Sequence, residues 1–106
     1  MNKVRLTPEA AADLVGIKTY ISETLGNPIA AVGTIQRITK SLRILETHAE
    51  AGPSLEAKSE YKTNLRFLVC GNYIAIYRIE GDCTSIARVL NSRQDYMRVL
   101  FSRDDK

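Results

Sequence analysis

The chain has 106 residues, enough for one packed domain but not for two. Its 44% apolar and 25% charged residues are ordinary for a globular protein, and no apolar run approaches the ~20 residues of a membrane span. The net charge of +3 lies entirely in residues 62–106, which hold eight Lys/Arg against five Asp/Glu, whereas residues 1–61 hold seven of each. A basic half of this kind favours an acidic partner, a nucleic acid or an acidic protein segment.

In chain order, Asn2 to Leu6 alternates Val4 and Leu6 with Lys3 and Arg5, the pattern of a short edge strand. The MNKVRLTPEA start has no apolar core of a signal peptide, so a cytoplasmic location is expected. Thr7-Pro8-Glu9 supplies a helix N-cap, a proline at the first helical position and an acid in the first turn. Leu14, Ile17, Ile21 and Leu25 recur at helical spacing and predict one buried stripe, which Gly26 terminates. Asn27-Pro28 starts a second helix at once, with Ala31, Ile35, Ile38, Leu42 and Leu45 as its apolar seam. So short a link forces the two helices into an antiparallel hairpin.

Thr47 to Glu60 has no periodicity and reads as a loop around Ala51-Gly52-Pro53-Ser54. His48 is the one histidine and stands at the start of this loop. It could act as a general acid or base, but its expected role is a surface residue near the helix end.

Residues 61–95 read as a three-stranded meander, with strands Leu65 to Cys70, Tyr73 to Glu80 and Thr84 to Asn91. Gly71-Asn72 and Gly81-Asp82 are two-residue hairpin loops. Alternation assigns Leu65, Phe67 and Val69, with Ala75, Tyr77 and Ile79, to the helix-covered face. Lys62, Asn64, Arg66 and Leu68, with Ile74, Ile76 and Arg78, then make the open face. The third strand does not alternate cleanly, which predicts a bulge or burial on both faces. Cys70 and Cys83 flank the middle strand, about 23 Å apart at the ordinary rise, too far for a disulfide. With one histidine, they also fall short of a structural zinc set, and no metal or cofactor is expected. Ser92 to Phe101 reads as a short helix ending in an apolar patch, or as a tail docked on the sheet edge.

The β-α-α-β-β-β order, in a single domain over residues 1–106, resembles the RelE/ParE toxin superfamily of bacterial type II toxin–antitoxin modules. The resemblance rests on LTPEAAADLVGI with the following Tyr20, on NLRFLVCGNYIAIYRIEGD and on ARVLNSRQDYMRVLF. It implies an α+β fold in which a helical hairpin covers one face of an antiparallel sheet, with a short C-terminal helix or tail. It also implies a plasmid-stabilisation or addiction toxin, neutralised by an acidic antitoxin that folds across it. A free chain would then expose an apolar patch or hide it in a homodimer.

RelE-like members cut messenger RNA on the ribosome, which requires a proton acceptor, a cation at the phosphate and a proton donor. Carried over by position, that set is broken here. Lys62 matches one sheet lysine, Asn64 stands where a second belongs, and Ile74 replaces an arginine. Arg66, Arg93 and Tyr96 complete the candidate ribonuclease residues. ParE-like members inhibit DNA gyrase by binding, and the LTPEAAADL, LRFLVCGNY and LNSRQDYM segments resemble that branch more closely.

The expected target contacts are Arg93, Asp95, Tyr96, Arg98, Leu100 and Phe101, although Arg93 and Asp95 could simply pair with each other. The expected antitoxin contacts are Arg66, Arg78, Arg88, Ile74 and Ile76. Three functions follow: a gyrase inhibitor, which is favoured, a ribosome-dependent ribonuclease, or a non-toxic basic binding module.

Overall fold

The computed structural model describes residues 3–55 and 63–93. The tail expected as a helix, and Lys62, Asp95, Tyr96, Arg98, Leu100 and Phe101 with it, lie outside the described residues. Strand β1 (Lys3–Leu6) leads into helix α1 (Pro8–Thr19), where the Thr7 hydroxyl caps by accepting from the Ala10 N–H. A π-helical turn, Tyr20–Thr24, extends α1, and helix α2 (Pro28–Leu42) follows, capped by Asn27 through the Ala30 N–H. A 3₁₀ turn, Arg43–Glu46, closes the helical hairpin. The meander is β2 (Arg66–Cys70), β3 (Tyr73–Glu80) and β4 (Cys83–Asn91).

The sheet order is β1-β4-β3-β2. The meander strands pair antiparallel as expected, but β1 pairs parallel with β4, so the whole sheet is mixed. The helical hairpin must carry the chain back across the sheet between β1 and the meander, and this is the long connection that a parallel neighbour needs.

The π-helical turn changes the first apolar stripe. Leu25 N–H donates to Tyr20 O and Asn27 N–H to Ile21 O, both at 3.0 Å. The wider turn rotates the residues beyond it out of the α-helical phase. Leu14 and Ile17 before the turn are half-buried and Ile21 within it is buried, whereas Leu25 just beyond it is 58% exposed rather than part of the stripe. The α2 seam behaves as predicted at Ala31, Ile38, Leu42 and Leu45, with Ile35 half-buried.

The β2–β3 hairpin corrects the face assignment. Gly71 has φ 66° and no described non-glycine residue has positive φ, matching a turn with glycine at its first central position. A two-residue loop makes Cys70 and Tyr73 direct partners, so Leu68 faces with Ala75 and Arg66 with Tyr77. Phe67 and Val69 share the other face with Ile76 and Ile74. The sequence reading placed β2 one residue out of phase, and a one-residue slip moves every side chain to the opposite face.

The helix-side core is Ala10, Ile38, Leu42, Leu45, Cys70, Ala75, Tyr77, Ile86 and Val89. A second cluster, Leu55, Phe67, Ile74 and Ile76 with Leu65 against it, lies on the other face. Ile74 and Ile76 are 4% and 0% exposed, so they are core rather than the expected apolar docking surface.

The predicted bulge is present. The β3–β4 register shifts between Ile76 and Tyr77, which pair with Arg88 and Ile86, leaving Ala87 as the extra residue.

Candidate functional site

Two internal devices use arginines that sequence alone would leave free. The first anchors the loop after α2. Gly52 N–H donates to the Tyr77 hydroxyl at 2.9 Å, and that hydroxyl donates to Ala49 O at 2.8 Å. Arg66 Nη1 donates to Gly52 O at 2.7 Å. A Cβ on Gly52 would collide with the Phe67 carbonyl and stand 2.8 Å from the Tyr77 hydroxyl, so no larger residue fits. Burial pushes the Tyr77 phenol up from its ordinary range, with the Gly52 N–H and the Arg66 charge acting the other way.

The second device ties α1 to β4. Arg88 makes a two-pronged contact to Asp13, Nε at 2.7 Å and Nη2 at 2.9 Å, and Val89 N–H donates to the same carboxylate at 2.9 Å. β1 ends at Leu6 opposite Ile86, so beyond that point the β1-side edge of β4 has no strand neighbour among the described residues, while β3 continues along its other edge. Asp13 supplies the missing acceptor. Its hydrogen bonds raise the Arg88 guanidinium above its ordinary value, against the smaller opposing effect of burial.

These contacts correct two expectations. Arg66 points to the helix side and holds a loop, and Arg88 is paired within the chain, so neither is an unengaged cation awaiting a partner. Of the ribonuclease candidates, only Arg66 and Arg93 are described. Arg93 is exposed just past β4, where its backbone N–H donates to Asn91 Oδ1 at 2.8 Å. Arg78 remains on the open face, 3.8 Å from Glu80.

His48 is exposed, 2.9 Å from the Thr47 hydroxyl, in an open cleft with Ile44, Glu50 and Ile79. Among the described residues, no group of three or more His, Cys, Asp or Glu could hold a metal, and no helix is long and apolar enough to cross a membrane.

Unpartnered apolar surface lies on the hairpin instead. Ile29 is 85% exposed, Leu25 58%, Tyr20 53% and Val32 47%. Pro28, Ile29, Val32, Gly33 and Gln36 line a shallow depression that continues along α2 past Thr39, Lys40 and Arg43. It reaches Val4 and Leu6 of β1 through a third depression shared with Thr39, Arg43 and Glu46. From Pro28 to Glu46 this groove spans roughly 27 Å at the helical rise.

The family model for the ParE toxin of the type II toxin–antitoxin system, parDE, matches residues 4–96. The chain belongs to the ParE toxin family. Among solved structures it is similar to a chain of the chromosomal ParDE toxin–antitoxin system from P. aeruginosa. That match has 27% identity and a TM-score of 0.72, and covers 86% of this chain and 96% of the other. No curated protein matches the sequence. The ParE assignment makes an antitoxin the partner, and the helical hairpin offers this ParE-family toxin an exposed apolar surface at Tyr20, Leu25, Ile29 and Val32.

Proposed function

We propose that this toxin acts by binding DNA gyrase and is neutralised by an acidic antitoxin segment lying along the α2 groove. The observation that carries the antitoxin site is the exposed Ile29–Val32 surface running into Lys40 and Arg43. It offers apolar contacts for one side of an amphipathic segment and cations for its acids.

The gyrase reading is supported by the ParE match and by the use of Arg66. In a ribonuclease, that cation would have to face the phosphate, but here it is committed to the Gly52 carbonyl on the opposite side of the sheet. Arg93 stands exposed at the start of the segment proposed to contact the target, followed by Asp95, Tyr96, Arg98, Leu100 and Phe101.

Purified toxin added to gyrase, ATP and relaxed plasmid should block supercoiling, and substitution of Arg93 together with Tyr96 should relieve the block. Unaffected supercoiling, with codon-specific cuts in ribosome-bound message, would replace this reading by the ribonuclease one. Harmless induction without antitoxin would leave a non-toxic binding module. For the antitoxin site, Ile29→Asp with Val32→Asp should leave toxicity intact and abolish neutralisation.

A further inference from the structure

The polar end of the open sheet face is not used by either reading. There Arg5, Ser85 and Arg78 are successive partners across β1, β4 and β3, so all three share that face. At the ordinary strand spacing the two arginines are about 10 Å apart at Cα, with Ser85 between them. Arg5 Nη2 lies 3.6 Å from one oxygen of Glu80 and Arg78 Nε lies 3.8 Å from the other. Both distances exceed a hydrogen bond, so neither guanidinium is saturated, yet both converge on one oxyanion. Their side chains are 60% and 42% exposed and open to a ligand. Ser85 is 3% exposed, and its hydroxyl makes no hydrogen bond to any described residue. Among the described residues Thr84 alone has a fully buried hydroxyl without a partner, so the Ser85 hydroxyl reaches the surface between the two incompletely paired arginines and is free to donate to a ligand.

We propose that Arg5, Ser85 and Arg78 form a notch for a phosphodiester group, through which the toxin contacts a nucleic-acid backbone. A tetrahedral phosphate presents oxygens to both guanidinium forks and to the hydroxyl at once, displacing Glu80 from its two long contacts.

An acidic peptide would be the competing occupant. It needs apolar anchors for its alternate side chains, and the neighbouring row, Lys3-Cys83-Glu80, supplies no aliphatic or aromatic side chain. Lys3, Arg5 and Arg78 also outnumber Glu80 and the adjoining Asp82, so the field favours a polyanion. The notch serves a gyrase or a ribosome target alike, because gyrase acts on DNA and the ribosome carries RNA.

The test is fluorescence anisotropy of the full chain with a labelled 20-base-pair DNA duplex and, separately, a 20-nucleotide single-stranded RNA, over a range of salt. Arg5→Gln and Arg78→Gln should each weaken binding about fivefold or more and reduce the salt slope by about one. Ser85→Ala should weaken it about threefold, while Arg37→Gln on α2 should leave it unchanged. Preference for one nucleic acid identifies the source of the phosphate. Binding to neither, equal binding by the arginine variants and the parent, or displacement by polyglutamate far below the nucleic acid's own concentration would overturn the proposal. Circular dichroism of each variant confirms that the exposed substitutions leave the fold intact.

Discussion

Replacing Tyr77 by phenylalanine removes one oxygen from a side chain that is 0% exposed, at the point where the loop after α2 is fastened to the sheet. The ring and its packing against the helix-side core remain. What disappears is the acceptor for Gly52 N–H and the donor to Ala49 O, at 2.9 and 2.8 Å. Each buried group left unpaired costs about 1–3 kcal/mol, so Tyr77→Phe should lose about 2–4 kcal/mol after some relaxation of the loop. For a domain of this size, that lowers the thermal midpoint by about 10 °C or more.

Urea unfolding should show a lower midpoint with an unchanged slope, because the surface exposed on unfolding is the same. Amide exchange should accelerate at Gly52 before it does in β3, since the loop is released locally. Tyr73→Phe is the matched control, as the half-buried Tyr73 makes no hydrogen bond to a described residue. If the two variants lose the same stability, or Tyr77→Phe loses less than about 1 kcal/mol, the loop is held by packing and the argument fails.

Asp13→Ala should cost about 1–3 kcal/mol, because it strands Val89 N–H and unpairs Arg88, whose 31% exposure lets water recover part of the loss. A double-mutant cycle with Arg88→Ala measures how much of that belongs to the pair. Thr84→Val should leave stability equal or raise it by up to about 1 kcal/mol, since the Thr84 hydroxyl is buried with no partner among the described residues. Thermal denaturation distinguishes that from the loss a required hydroxyl would show.

Burial raises both the Tyr77 phenol and the Cys70 thiol. Their neutral forms are favoured when folded, so the stability they contribute is whole below their unfolded values, about 8.5 for the thiol and 10 for the phenol. It is lost as pH rises through the higher folded values. Stability should therefore fall above pH ~8.5–10, and less steeply in Tyr77→Phe. Both cysteines are free, Cys70 buried and Cys83 partly exposed. A thiol reagent should accordingly label Cys83 in the native protein and Cys70 only on unfolding.

By itself, the sequence determined the elements and their ends. Thr7-Pro8 and Asn27-Pro28 cap two helices because side-chain oxygens satisfy the orphan N–H groups of a first turn wherever the helix lies. Gly71 and Gly81 place the hairpins because positive φ is a local cost. The separation of the two cysteines followed from the length of one strand. The family resemblance was equally legible, since it resides in that order of elements.

The faces of β2 were within reach of the sequence as well. The two-residue Gly71-Asn72 loop already makes Cys70 and Tyr73 partners, but apolar alternation pointed the other way because β2 packs apolar residues on both sides. Only the tertiary structure decided which charges are free. Asp13 and Arg88 are 75 residues apart, and Gly52 lies 25 from Tyr77, so no periodicity couples them. The bulge at Ala87, the early end of β1 at Leu6 and the loop folding back onto Tyr77 consumed two of the arginines that composition offered to a partner. Joining β1 parallel to β4 set Arg5 in line with Ser85 and Arg78, because pairing between distant strands is a long-range choice that local chemistry does not specify.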